Sequence, residues 1–166
     1  METNTQIFFY SHSNGNYRCF SNFFPSEFIE NNIEYNCNEQ YFMKKKQELF
    51  DPLNIATSNG IMACRDPFQI KKFGRDVKNF NQGVWDGTKY EIMKQGLRLK
   101  FKQNPSLLNK LILTSTKKLY EASPYNKILG TGFNAITTLH KINYAENELG
   151  QNLLGKALEE VRDELR

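Results

Sequence analysis

The sequence predicts an α+β fold: one compact domain over residues 1–166, mostly helical, with a small β-sheet. From residue 38 onward, apolar residues recur mainly at helical spacing, and capping side chains before prolines mark helix starts. Before that residue the apolar runs are short, aromatic and bounded by turn residues, which is typical of strands. With 166 residues, 39% of them hydrophobic and 24% charged, the chain is suited to one folded core.

The first strands are predicted near the N-terminus. Gln6–Tyr10 is apolar and aromatic and is followed by the polar stretch SHSNGN, which indicates a strand and then a turn. Ser21 and Asn22 lie between aromatic residues shortly before a proline, so they occupy either an extended segment or a turn. Ile33–Tyr35 follows an asparagine pair and indicates a second short strand that leads into the first helix.

The first predicted helix carries the most informative pattern. Asn38 is a suitable N-cap, and Glu39 then lies in the first turn, where the free N–H groups favour a carboxylate. One face of this helix contains Glu39, Phe42, Met43 and Lys46. The carboxylate and the ammonium are then roughly 10 Å apart along the axis, which is too far for a salt bridge. This spacing suits a ligand with a reacting sugar at one end and a phosphate at the other; the alternative is a capping glutamate, an apolar core pair and a solvated lysine.

Three further helix starts are predicted at residue pairs that place a capping side chain before proline. These pairs are Asp51–Pro52, Asp66–Pro67 and Asn104–Pro105. Asn59–Gly60 is the predicted end of the first of these helices, and Gly74 is the predicted end of the second.

Two residues in the middle of the chain are candidates for ligand binding. Arg75 follows the predicted helix end at Gly74 in a basic neighbourhood, so its planar guanidinium can bind a phosphate or form part of a solvated basic rim. Trp85 begins the longest helical pattern, which extends to about Lys102. Its indole is either a stacking surface for a base or a core side chain.

The C-terminal part combines a strand, a turn and a closing helix. The LYEA segment is strand-like, SPYN is a turn, and Gly130 and Gly132 let the backbone approach a ligand or another element closely. The tail GQNLLGKALEEVRDEL is amphipathic and is predicted to pack as a helix on the core.

Composition limits the function classes only broadly. A net charge of +4 and a pI near 8.9 suit an anionic ligand as well as nucleic acid. Three cysteines without metal-ligand spacing indicate a reducing compartment, and two histidines make a His-rich metal site improbable. The N-terminus does not resemble a signal peptide, and no stretch approaches the ~20 apolar residues of a membrane span. We therefore expect a cytoplasmic protein with no metal, no cofactor and no membrane association.

Six stretches in register resemble the NADAR domain family, whose best-known members are the YbiA-like N-glycosidases. They are FSNFFP (20–25), NEQYFMKKK (38–46), GR (74–75), the W…K…M…L…KF pattern (85–101), YEASPYNKILGTG (120–132) and GQNLLGKALEEVR (150–162). The resemblance covers nearly the whole chain. It implies a single α+β domain that hydrolyses N-glycosidic bonds without a metal.

The resemblance also implies a set of site residues. The family's catalytic carboxylate falls on Glu39 and its helix lysine on Lys46, whereas Asn22, Arg75 and Trp85 fall on positions that line the same pocket. We assign substrate binding also to three residues of the 120–132 motif: Asn126, Gly130 and Gly132.

These residue types suit the chemistry that the family implies. Cleavage of a bond from sugar C1 to nitrogen passes through an oxocarbenium-like transition state, so Glu39 can stabilise positive charge and orient or deprotonate water. Arg75 and Lys46 can bind phosphate, and Trp85 can stack on an aminouracil or a guanine.

The sequence departs from the family at three positions, and the first is Gln40, where many members have histidine. Typical members have aspartate and tryptophan where this chain has Asn126 and Leu129, and an amide cannot act as an acid or base. Three hypotheses follow. The first is hydrolysis of a small-molecule ribosyl phosphate, namely a phosphorylated ribosylaminopyrimidine from the early riboflavin pathway. The second is hydrolysis of an ADP-ribosyl-guanine substrate, including ADP-ribosylated nucleic acid. The third is a non-catalytic module that binds ADP-ribose or a related nucleotide.

Overall fold

The computed structural model describes residues 1–166 and confirms an α+β fold that is mostly helical. The strands are β1 (Gln6–Phe9), β2 (Phe28–Glu30), β3 (Ile33–Tyr35) and β4 (Lys118–Glu121). The helices are α1 (Asn38–Phe50), α2 (Ile55–Ala63), α3 (Pro67–Arg75), α4 (Gln82–Gln103), α5 (Pro105–Ile112), α6 (Ala135–Tyr144) and α7 (Leu153–Glu164). No helix combines the length and the apolar character needed to cross a membrane.

Contacts divide the chain into two compact units. The helical unit is Pro25–Asn104, and the terminal unit consists of Met1–Phe24 together with Pro105–Arg166. The strands form two separate pairs, one in each unit, where the sequence predicted one small sheet. Whether residues 1–166 form a single domain, as the sequence predicts, is therefore not decided by these contacts and stays a prediction.

The helical unit begins with a hairpin that leads into α1. β2 and β3 pair antiparallel, and Asn31 and Asn32 between them have φ values of +51° and +64°. Asparagine tolerates this left-handed conformation better than most residues, and two such residues in a row form the tight turn that joins paired strands. The sequence predicted β3 but missed β2, because β2 has only three residues.

Three predicted helix boundaries in this unit are wrong. The N-cap of α1 is Cys37, whereas Asn38 is buried and donates from Nδ2 to the Met93 carbonyl oxygen at 3.3 Å. No helix starts at Asp51–Pro52, because Asn54 caps α2 by accepting the Thr57 N–H at 3.1 Å.

The predicted stop at Asn59–Gly60 lies inside α2. Gly60 is needed for helix packing, since a Cβ there would lie 2.7 Å from the Phe73 ring of α3. The starts of α3 and α5 are as predicted, and α3 ends at Arg75, one residue beyond Gly74.

The terminal unit is built on a parallel strand pair. β1 pairs with β4 in the register Gln6↔Lys118 to Phe9↔Glu121. The closing helix α7 packs directly on β4, because a Cβ at Gly155 would lie 2.0 Å from the Leu119 carbonyl oxygen. Ser21 and Asn22 are buried in a turn, one of the two predicted alternatives, and α6 was not predicted.

Candidate active site

Glu39 lies in the first turn of α1, and its side chain is only 3% exposed. Two glycines let neighbouring helices approach α1 closely. A Cβ at Gly74 of α3 would lie 2.0 Å from Met43 Sδ, and one at Gly96 of α4 would lie 2.0 Å from Asn38 Oδ1. These positions have no room for a methyl group, so the backbones of α3 and α4 pack directly on side chains of α1.

Burial dominates the electrostatics of Glu39. It raises the pKa of this carboxyl from the usual 4.5 to about 7, because the charged form loses its hydration. Three cations oppose the effect: Lys71 most strongly, then Lys46 and Arg75. The interior of the protein therefore keeps an acid with a pKa near neutrality close to a group of positive charges, an arrangement that is enriched at catalytic sites.

Lys46 lies at the other end of the same helical face. Its Nζ donates to the Gly74 carbonyl oxygen at 2.7 Å and lies 4.4 Å from the ring centroid of Phe80 and 5.7 Å from that of Trp85. Burial lowers the pKa of Lys46, while the Glu39 carboxylate raises it and Arg75 lowers it further. The carbonyl oxygen and the aromatic faces hold the ammonium in a defined position.

Trp85 is both a core residue and part of this group. Its ring centroid lies 4.9 Å from that of Phe42 and 6.3 Å from that of Phe50, and the side chain is 8% exposed. The core interpretation of Trp85 is therefore correct. The indole is also one of the two rings near the Lys46 ammonium. Trp85 therefore contributes to the electrostatics of the site even though its ring is buried.

The sequence prediction missed one residue of the group. Lys71 is partly exposed on α3, one helical turn before Arg75, and it is the cation that acts most strongly on Glu39. Residues four apart share a helical face, so a search for cations at this spacing before Arg75 would have found it.

The remaining predicted site residues lie in the terminal unit. Asn22 is 4% exposed. Asn126 Oδ1 accepts the backbone N–H groups of Ile128 and Leu129 at 3.0 and 2.9 Å, which fixes a turn. Gly130 and Gly132 lie where the backbone conformation or packing requires glycine. A Cβ at Gly130 would lie 2.6 Å from the Glu121 carbonyl oxygen, and Gly132 has a φ of +79°.

The helical unit thus brings Glu39, Lys46, Arg75 and Trp85 together, with Lys71 as an addition. The catalytic role of Glu39 and the substrate-binding roles of the other seven predicted residues, four of which lie in the terminal unit, stay predictions. No group of three or more His, Cys, Asp or Glu side chains is arranged to hold a metal ion.

The fold is that of a known family. The NADAR domain model matches residues 8–166, and the chain belongs to that family. The predicted resemblance is thereby confirmed.

Relatives across the family align with almost the entire chain. An N-glycosidase, R617 of Acanthamoeba polyphaga mimivirus, is 40% identical over 99% of this chain and 98% of its own length. The solved structure of E. coli YbiA superposes with a TM-score of 0.75 at 27% identity, covering 99% of this chain and 87% of that one. A Vibrio vulnificus protein named for riboflavin biosynthesis is 26% identical over 96% of this chain but only 38% of its own length.

Proposed function

We propose that the protein is an N-glycosidase that hydrolyses the bond between a ribose C1 and an exocyclic or ring nitrogen. The observation that carries the proposal is the buried Glu39 carboxyl, whose pKa is raised to about 7 beside three cations. Relatives named N-glycosidases, at up to 40% identity among those compared, support the reaction class.

In the proposed reaction, the C1–N bond breaks as water adds to C1. The ionised Glu39 stabilises the positive charge that develops on the sugar and accepts a proton from the attacking water. The leaving nitrogen takes up a proton, so the net change is the addition of one water molecule. Burial favours this role, because a carboxylate in a low-dielectric site stabilises a nearby cation more strongly than one in water.

The cations of the site indicate the substrate class. Lys46 donates to the Gly74 carbonyl oxygen, whereas the Arg75 guanidinium is exposed and can bind a phosphate. A phosphorylated ribosylaminopyrimidine suits an acidic group beside such a guanidinium, and the riboflavin-related name of the Vibrio vulnificus relative supports that choice. Three positive charges also suit the pyrophosphate of an ADP-ribosyl-guanine substrate, which is the second candidate.

The two candidates and a purely binding role are separated by one assay. Purified protein is incubated with a 5′-phosphorylated ribosylaminouracil and, in a parallel reaction, with DNA that carries ADP-ribosylated guanine. Released ribose 5-phosphate or ADP-ribose is measured by chromatography. We expect release from the ribosylaminouracil; release only from the DNA substrate supports the second candidate.

The matched controls are Glu39→Gln and Glu34→Gln. Glu34 is an exposed glutamate of β3 in the same unit, so its variant should keep full activity. Binding of ADP-ribose without release from either substrate would contradict an enzymatic role. Metal independence is part of the proposal, and a chelator should leave the rate unchanged; inhibition that added zinc or magnesium reverses would contradict it.

A further inference from the structure

A cavity of about 460 Å³ lies within the terminal unit. It is located at the carboxyl ends of the parallel strands β1 and β4, between the loop of residues 11–17 and the start of α6. The Ala122 N–H donates to the Phe9 carbonyl oxygen at 2.8 Å, which joins the two strand ends beneath the cavity. Carboxyl ends of adjacent parallel strands are common positions for ligand sites, and this volume is within the range of small-molecule pockets.

Aromatic side chains provide the apolar wall. Phe8 is buried and stacks on Tyr120 with 5.4 Å between ring centroids, so its position is fixed. Tyr10 directly follows β1, lines the cavity and is 49% exposed. A half-exposed aromatic ring on a rigid strand end is suited to stack on another planar ring.

Amide side chains surround the opening. Asn14 and Asn16 belong to the 11–17 loop, and Asn134 is the N-cap of α6. Asn134 Oδ1 accepts the Thr137 N–H at 2.9 Å, so its amide N–H groups remain for a ligand. The amides of Asn14 and Asn16 offer a donor and an acceptor side by side, which matches the hydrogen-bonding edge of a purine, and Asn134 adds a donor.

The charged residues at the cavity are engaged by the protein itself. The Glu2 carboxylate accepts the Tyr17 hydroxyl at 2.7 Å and also pairs with Lys117. Arg18 Nη1 donates to the Ser13 carbonyl oxygen at 3.3 Å, and its guanidinium lies 5.8 Å from the ring centroid of Phe24. The Glu2 carboxylate is thus ion-paired, and the Arg18 guanidinium is held by a backbone carbonyl oxygen and an aromatic ring. We therefore expect the neutral amides to provide most of the recognition, which suits an uncharged ligand.

We propose that this cavity binds a purine nucleoside, with its base stacked on Tyr10 and its polar edge on Asn16 and Asn134. The nucleoside chemistry follows from the half-exposed aromatic ring and from the neutral amides at the opening. None of the residues assigned to the proposed hydrolytic function lines this cavity.

The test uses the full chain and calorimetric titration with adenosine and guanosine. Uridine and ribose 5-phosphate serve as comparison ligands. We expect at least one purine nucleoside to bind with a Kd of about 1 mM or tighter and to move the backbone amide signals of Gly15 and Ala135 in NMR spectra. Uridine should bind more weakly, because its single ring stacks less, and ribose 5-phosphate should not compete.

Two variants make the assignment specific. Tyr10→Ala should weaken purine binding about tenfold or more, and Asn16→Ala should weaken it by several-fold. Tyr144→Ala, which removes a 79% exposed tyrosine of the same unit outside the cavity, should have no effect. Both test residues are largely at the surface, and a dispersed NMR spectrum confirms that each variant is folded. Absence of purine binding, equal affinity of Tyr10→Ala, or displacement by ribose 5-phosphate would each overturn the proposal.

Discussion

The first turn of α1 and the segment of residues 123–132 hold polar groups in opposite ways. Asn126 is partly exposed, and its Oδ1 accepts two backbone N–H groups of its own turn. Glu39 is almost fully buried, and its charge is balanced mainly by Lys71, Lys46 and Arg75. The Asn126 side chain is thus satisfied by hydrogen bonds within its own turn. The Glu39 carboxyl, by contrast, is held where burial opposes its ionisation.

This difference supports the proposal that Glu39 is catalytic, whereas Asn126 stabilises the backbone of its own turn. A side chain satisfied within its own turn can be replaced by another acceptor at little cost, because the turn stays intact. A buried carboxyl that loses hydration on ionisation lowers stability at neutral pH, and such a cost is typical of functional sites. The experiments below test this contrast, from the largest expected effect to the smallest.

Glu39→Gln should reduce the rate of hydrolysis about 10²-fold or more, because the charge is lost while the shape is kept. Ligand affinity should change little, since Lys71 and Arg75 remain. The measurement is kcat and KM on the substrate identified by product release. Turnover within a few-fold of the wild-type rate would show that another group carries the chemistry.

The same substitution should stabilise the protein at neutral and alkaline pH. The folded-state pKa of Glu39 is about 7 and the usual value is 4.5, so the folded state binds more protons between these values. The free energy of unfolding of the wild-type protein therefore falls as pH rises from about 4.5 to 7. Glutamine does not ionise, so Glu39→Gln avoids this loss. Above pH 7 its free energy of unfolding should exceed that of the wild type by about 3 kcal/mol, and near pH 4 the difference should vanish.

Urea denaturation of the wild type and Glu39→Gln at pH 4 and pH 8 measures this difference. The exposed-site control Glu34→Gln should show no comparable gain. Equal stability of the wild type and Glu39→Gln at pH 8 would mean that the ionised carboxylate is well accommodated by the fold.

Lys71→Gln should move the pH dependence of hydrolysis to higher pH. Lys71 is the cation that lowers the pKa of Glu39 most, so its removal raises that pKa further above its ordinary value. At pH 7 a smaller fraction of Glu39 is ionised, and kcat/KM should fall by about threefold to tenfold. Lys72→Gln, at the neighbouring exposed position of α3, is the matched control and should behave as wild type.

Asn126→Asp should have the smallest effect on stability, within about 0.5 kcal/mol, because aspartate can accept the same two N–H groups. Combined with Leu129→Trp, it restores the typical family residues. We expect the double variant to change the preference between the two test substrates, since tryptophan alters the shape of the surface there. A rise in turnover from zero, with affinity unchanged, would instead indicate a binding protein whose activity had been lost.

Local patterns predicted the parts of the molecule that depend on neighbours in the chain. The buried positions Glu39, Phe42 and Met43 follow from helical spacing, and the capped start of α3 follows from Asp66–Pro67. By contrast, the start of α2 was wrong because two capping residues compete within four positions. Asn54 caps the helix, and Asp51 instead accepts the amide of Asn54 at 2.8 Å.

Long-range packing explains what the sequence did not reveal. The parallel pairing of β1 with β4 joins segments more than 100 residues apart, and no local pattern encodes it. Gly74 was predicted as a helix end, but its main role is contact with Met43 of α1. The effect of the Lys71 charge on the pKa of Glu39 likewise depends on how α3 packs against α1. This pKa could therefore not be predicted from the spacing of residues in the sequence.

The central claim is that burial beside three cations keeps Glu39 titrating near neutrality. Side-chain carboxyl ¹³C chemical shifts of the wild-type protein, followed from pH 3 to pH 9 and assigned by loss of one signal in Glu39→Gln, test it directly. We expect a midpoint for Glu39 of about 7, well above the ordinary glutamate value of 4.5. A midpoint at or below the ordinary value of 4.5 would contradict it, because Glu39 would then be a carboxylate stabilised by the fold.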